Sequence, residues 1–315
     1  MDILRRLAAA IAVCLAAGPV CAQESRELRW AGDAEGGAPF VEADPQDPAR
    51  VIGFDVEVAE ILGRGLGRTP RFVQVGFTSL DPAAARGDFD IGLSGIEDSA
   101  ARRARLSVTI PYYEFREILT VRESDRQRYR TLADLRGRRV ATLGATLAYD
   151  ILVAADAQHG LVVVTYEDDV HPYSDLALGR VDAVVLDAVL ADRGVRRNAG
   201  LVNQDADLGM GYYVGVLAPE QSALRDRIND ILRAAMRDGR LEAVFQRWEM
   251  WNEDQPRLYA RVLADSDGSG GSKDPQPRIE SAAAATLRYL PALFRAALIT
   301  LALSCLSAAR KSAGR

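Results

Sequence analysis

Apolar residues over the first 251 positions fall into two alternating patterns. Short continuous runs at 28–31, 71–75, 90–93, 117–121, 139–142, 161–166, 183–186 and 211–217 read as buried strands. Between them lie stretches with apolar positions at helical spacing: 56–66, 80–85, 147–157, 224–236 and 241–250, the last two separated by Asp238-Gly239. A helical turn at 132–135 is closed by Gly137. Strands alternating with helices predict an α/β chain. A second unit is expected to begin near Phe115, and the run 211–217 returns to the first.

Both ends depart from this pattern. Arg5 and Arg6 precede the apolar run 7–20, and small residues at 20–22 precede Gln23, so 1–22 reads as an export signal. After Ala264 the composition changes to Asp265-Ser266-Asp267-Gly268-Ser269-Gly270-Gly271-Ser272, a flexible linker expected over 265–280. The apolar stretch 289–307, broken by Arg295, is a candidate membrane segment shorter than the ~20 apolar residues of a full span. The basic tail after it suits a cytoplasmic end.

The 315 residues allow about two domains. With a net charge of −5 and aromatics at 7%, nothing suggests a basic nucleic-acid surface; arginine far outnumbers lysine, which occurs only at Lys273 and Lys311. Cys14, Cys21 and Cys305 all lie outside the 28–251 body, which must therefore be held by an apolar core and no disulfide. His159 and His171 have no metal-ligand spacing, no nucleophile–base constellation is visible, and no cofactor is implied.

The most informative segment is 87–113, GDFDIGLSGIEDSAARRARLSVTIPYY. A short strand leads through a polar turn to a helix opened by Ser99. First-turn N–H groups, the helix dipole and the forked guanidinium of Arg102 together suit a carboxylate. A surface cap followed by a solvated Arg-rich turn would give the same local pattern.

The order GFDVEVAEIL, GDFDIGLSGIEDSAARRARLSVTIPYYE, TLADLRGRRVATLGAT, LALGRVDAVVLD and MRDGRLEAVFQRW resembles the polar-amino-acid class of periplasmic solute-binding proteins of ABC importers, over 28–251. The resemblance implies a two-lobed periplasmic-binding-protein fold of type II, each lobe a β-sheet flanked by helices. Lobe 1 would comprise 26–114 and 212–255, lobe 2 115–211, with hinge crossings near 114–117 and 208–212. The implied activity is ligand capture by lobe closure, not enzymatic. The implied partners are a free amino acid, an ABC permease and its ATPase, with a monomeric receptor in the periplasm. AGDAEGGAPF, the linker and YLPALFRAALITLALS also resemble importers in which binding protein and permease are fused; here the permease part would be truncated, and 289–307 would tether the protein to the inner membrane if it inserts.

The resemblance also implies the site. Arg102 would clamp the ligand carboxylate, helped by Ser94, the Gly95 backbone and Ser99, and by Thr146 from lobe 2. Asp187 would accept from the ligand ammonium, or else cap the helix after it. Phe40 and Phe77 would meet the ligand side chain, or belong to the core. Three positions depart from the family pattern: Gly36-Gly37 replace an aromatic, Leu147 replaces a long polar residue, and Glu97 replaces a small hydroxyl. Glu97 leaves three expectations open: an acceptor for the ligand ammonium, a partner of Arg102, or a solvent-facing carboxylate. These departures point to a polar or amide-bearing ligand. Two other readings compete: a prephenate- or arogenate-dehydratase-like enzyme with Glu97 as general acid, and a membrane-tethered amino-acid sensor.

Overall fold

The computed structural model describes residues 26–35, 39–206 and 208–266. The export signal, Gly36-Gly37, the segment 289–307 and all but the first two residues of the linker lie outside the described residues.

The strands are β1 (Glu27–Gly32), β2 (Glu42–Asp44), β3 (Asp47–Ile52), β4 (Thr69–Gln74), β5 (Ile91–Gly92), β6 (Ser107–Val108), β7 (Tyr113–Arg122), β8 (Arg139–Leu143), β9 (Val162–Tyr166), β10 (Ala183–Asp187), β11 (Leu201–Asn203), β12 (Met210–Tyr213) and β13 (Val216–Leu217). The α-helices are α1 (Phe54–Leu66), α2 (Leu80–Arg86), α3 (Ala100–Arg103), α4 (Leu147–His159), α5 (His171–Ala177), α6 (Ala188–Arg197), α7 (Ser222–Arg237), α8 (Arg240–Arg247) and α9 (Asp254–Ser266).

Two sheets define two lobes. The first runs β4-β1-β5-β13-β6, with β1 parallel to β4 and β5. The second runs β11-β7-β10-β8-β9, with β8 parallel to β9 and β10. In lobe 1, α1 buries Phe54, Val58, Ile61 and Leu62 and packs on α7 and α8. In lobe 2, β10 is buried at every position, so its residues form an unbroken apolar run ended by Asp187.

Strand β7 is long enough to serve both lobes. Its first four residues pair with β12, from Tyr113↔Tyr213 to Arg116↔Met210; Glu117 to Val121 then pair with β10. The run 211–217, expected as one strand, is two. Tyr213 ends the pairing with β7, while Val216 pairs with β5 and β6 in the lobe 1 sheet. The chain thus passes between sheets at Val214-Gly215, where the Thr109 hydroxyl accepts the Gly215 N–H at 2.8 Å. Gly211 is required in this crossing, because a Cβ there would lie 2.3 Å from the Phe115 ring.

The sequence pattern does not mark β6, α5 or β11, nor two further features. A β2–β3 hairpin precedes α1. Helix α9 fills 254–266, from the expected end of lobe 1 at 255 into the first two residues of the expected linker, and buries Leu258, Tyr259 and Val262. Its side chains hold the start of β7. The buried Gln255 amide accepts the Glu114 N–H at 3.0 Å and donates to the Glu114 carbonyl at 2.8 Å, while Asp254 takes a forked pair from Arg116 at 2.9 Å each. No helix among the described residues is long and apolar enough to cross a membrane.

Candidate functional site

Parallel strands place their following loops at one edge, and ligands of open α/β sheets bind outside the carboxyl ends of the strands. Both lobes obey this geometry around one cavity. Lobe 1 contributes Asp33 after β1, Phe77 and Thr78 after β4, and Ser94, Gly95 and Glu97 after β5; Phe40 lines it as well. Lobe 2 contributes Leu143, Gly144 and Thr146 after β8, Tyr166 and Glu167 after β9, and Leu186, Asp187 and Leu190 at the end of β10 and in α6. Of the residues expected at the site, Phe40, Phe77, Ser94, Gly95, Glu97, Thr146 and Asp187 line this cavity together; Arg102 and Ser99 are not among the lining residues.

The Ser94-Gly95 wall is built by a residue the sequence reading passed over. Asp55, in the first turn of α1, is fully buried, and one of its oxygens accepts the N–H groups of both Ser94 and Gly95 at 2.9 Å. Its other oxygen accepts from the Tyr112 hydroxyl at 2.8 Å. These bonds hold Ser94 at φ 124°, a conformation that non-glycine residues rarely adopt. Burial pushes the Asp55 carboxyl up to about 6 despite its three donors. A carboxylate directly after Gly53-Phe54, on a helix face otherwise apolar, was the available signal.

Ser99 caps the single turn of α3 by accepting from the Arg102 N–H at 3.2 Å. The Arg102 guanidinium is buried, but it turns to protein groups. Its Nε lies 3.0 Å from both oxygens of Asp81, and its Nη1 donates to the Glu97 carbonyl at 2.6 Å. Asp81 sits in α2, twenty-one residues away in sequence.

Thr146 caps α4, accepting from the Tyr149 N–H at 3.2 Å and donating to the Leu143 carbonyl at 2.8 Å. The next amide of that helix end, Leu147 N–H, donates at 2.5 Å to the carboxylate of Glu97. Glu97 reaches it from lobe 1, where its own backbone bridges to Tyr213 and the Asp98 N–H donates to the Tyr212 carbonyl. Of the three expectations for Glu97, none included this interlobe bond. Burial, reinforced by Asp187 and Asp150, drives its carboxyl up to about 8, against the pull of the Leu147 amide and Arg102.

Asp187 fulfils its capping alternative, accepting from the Leu190 N–H at 3.0 Å, and it also lines the cavity. Burial raises its carboxyl to about 6, while the Leu190 amide and the buried Tyr213 hydroxyl facing it act the other way. Tyr213 is the hub of an aromatic floor, stacked on Phe115 at 4.7 Å between ring centroids and edge-on to Phe40 at 5.4 Å. Beneath this cluster, Glu117 is fully buried and neither of its oxygens has a hydrogen-bond partner; the Ala148 amide faces it, and burial with Glu97 and Asp187 nearby raises its carboxyl strongly.

Residues 31–250 match the family model for bacterial extracellular solute-binding proteins, family 3. The chain belongs to this family. Among curated relatives, it is 26% identical over 204 residues to ABC transporter arginine-binding protein 1 of Escherichia coli K12, covering 63% of this chain and 82% of that protein. It is 28% identical over 221 residues to the histidine-binding periplasmic protein of Salmonella typhimurium LT2, covering 67% and 83%. Among solved structures, a mutant of ArgBP from T. maritima superposes with a TM-score of 0.64 at 27% identity, over 71% of this chain and 96% of that one.

Proposed function

We propose that the protein is the extracytoplasmic receptor of an ABC importer. It takes a free amino acid or closely related amine between its lobes and presents the closed form to a permease and its ATPase. The observation that carries this reading is the convergence of Asp187 and the Ser94-Gly95-Glu97 wall, from opposite lobes, on one cavity lined by aromatic rings. A ligand touching both walls binds the closed state better than the open one and so shifts the population toward closure. The crossings at 114–117 and 208–212 supply the hinge, the two lobes divide as 26–114 with 212–255 and 115–211, and the receptor works as a monomer. Asp187 accepts the ligand ammonium, and Phe40 and Phe77 meet its apolar part. Relatives named for arginine and histidine support a basic ligand over an amide-bearing one.

The work done is closure, not chemistry. Glu97 alone keeps the dehydratase reading alive, as a buried carboxyl that holds its proton to about 8. Prephenate turnover abolished by Glu97→Gln would establish that reading in place of transport. The receptor reading is tested by thermal shift against the twenty amino acids and their amines, since a ligand that binds only the folded state raises its melting temperature. A stabilising ligand whose effect vanishes in Asp187→Ala supports it; no stabilising ligand refutes it.

A further inference from the structure

Several of the donors that would hold an α-carboxylate are engaged by the protein's own acceptors. The Arg102 guanidinium is held by Asp81 and the Glu97 carbonyl. The Ser94 and Gly95 amides bond Asp55, and the Thr146 hydroxyl bonds the Leu143 carbonyl. The Leu147 amide, at the N-terminal end of α4 where a ligand carboxylate would dock from lobe 2, bonds the side chain of Glu97. Glu97 brings the same chemical group as an amino acid's α-carboxylate to that helix end, and is only 6% exposed.

The charged residues that line the cavity are all acidic. Asp33, Glu97, Glu167 and Asp187 line it with no Lys or Arg among the lining residues. Glu117 lies behind Glu97 and Asp187, fully buried and without a hydrogen-bond partner on either oxygen. A buried, unpartnered carboxyl beside two others is costly unless a proton or a cation neutralises the group. Phe40, Phe77 and Tyr166 add aromatic faces suited to a cation.

We propose that this cleft takes an organic cation without an α-carboxylate, an amine or guanidine, because Glu97 itself fills the carboxylate seat. The proposal rests on the reading of the cleft as the ligand site and names the ligand class within it. A zwitterionic amino acid would have to displace the Glu97 carboxyl from the Leu147 amide before its own carboxylate could sit there. An amine places positive charge among Glu97, Asp187 and Glu117, acids that outweigh the nearby Arg102 guanidinium, itself paired with Asp81. The directions of the carboxyl shifts agree: these acids keep protons that a cation would displace.

Calorimetry with three matched pairs tests this: arginine and agmatine, ornithine and putrescine, histidine and histamine. For at least one pair the wild-type protein binds the amine about tenfold or more tightly than its parent amino acid, a difference of about 1.4 kcal/mol. Glu97→Ser frees the Leu147 amide and supplies a hydroxyl, so the preference reverses. The wild-type titration, repeated in buffers of different ionisation enthalpy near neutral pH, shows protons released on amine binding, a readout that does not depend on the variant folding. A parent amino acid that binds as tightly as its amine overturns the proposal and leaves the receptor reading standing. So does binding of some other amino acid with no binding in any pair. No binding by any compound, these pairs and the wider amino-acid panel included, overturns both.

Discussion

Glu97 and Leu147, fifty residues apart and on different lobes, are joined by a 2.5 Å bond from the Leu147 amide to the Glu97 carboxylate. It closes the cleft from within, at the end of α4 whose cap, Thr146, was expected to help hold the ligand carboxylate. The bond belongs to a group of buried acids at the lobe interface, and that group sets how the protein responds to pH.

Stability should fall as pH rises. Asp55, Asp169 and Asp187 are pushed up to about 6 and Glu97 to about 8, chiefly by burial, and Glu117 moves the same way. A carboxyl whose folded pKa lies above its unfolded value keeps its proton longer in the folded state. Its stabilising contribution is full below the unfolded pKa near 4 and is lost as pH rises through the folded pKa. Asp254 and Asp168, held low, act oppositely and matter only on the acid side. Glu97 faces Asp187 from β10, Asp150 from α4, Arg102 from α3 and Glu117 from β7, so the titration belongs to the group. Urea unfolding of the ligand-free protein should show a midpoint that declines between about pH 5 and pH 8, with a shallower decline in Glu97→Gln. A flat or rising midpoint contradicts the assignment.

Asp55→Ala should be among the most damaging substitutions. It strands the amides of Ser94 and Gly95 and the Tyr112 hydroxyl around a buried position. At about 1–3 kcal/mol for each buried donor left unpaired, a loss of about 3 kcal/mol or more is expected in chemical denaturation. Loss of ligand response should accompany it even at temperatures where the protein remains folded, because the cavity wall at Ser94 is no longer held.

Gln255→Ala should loosen the start of β7. The Glu114 N–H and carbonyl, both bonded to this one side chain, would be left unpaired, costing about 1–3 kcal/mol each. Amide exchange at Glu114 is the specific readout and should accelerate, while exchange within β10 responds only to the global loss. Unchanged exchange at Glu114 would show that α9 does not brace the crossing.

Gly211→Ala should destabilise by about 1–3 kcal/mol, the range of overpacked cores, because its Cβ meets the buried Phe115 ring at 2.3 Å. Pairing it with Phe115→Leu should recover part of the loss in thermal melts. No recovery would place the strain elsewhere.

Much of this architecture is legible in the residues themselves. The alternation of runs predicts the sheets, and a fully apolar β10 ending in a carboxylate puts Asp187 at a strand end, where it lines the cavity. What the pattern does not carry is competition between partners. Arg102 reads as an anion clamp, yet nothing in the spacing to Asp81 shows that an aspartate one helix earlier takes its Nε. Glu97 stands out as unusual, but its partner is an amide, and backbone amides leave no mark in a sequence. The 211–217 run reads as one strand because periodicity is blind to a change of sheet in mid-run. Helix α9 escapes the pattern because Pro256, which is tolerated in a first helical turn, and the Gly/Ser stretch after Ala264 both read as punctuation.

The most direct test of the account is a calorimetric titration of the purified protein and its Asp187→Ala variant with the ligand that stabilises it most in the thermal screen. The account predicts saturable binding that weakens by about tenfold or more in the variant, the range of one charge-assisted hydrogen bond. Equal affinity in the two proteins would contradict it, because the ammonium would then be held somewhere other than at the end of β10.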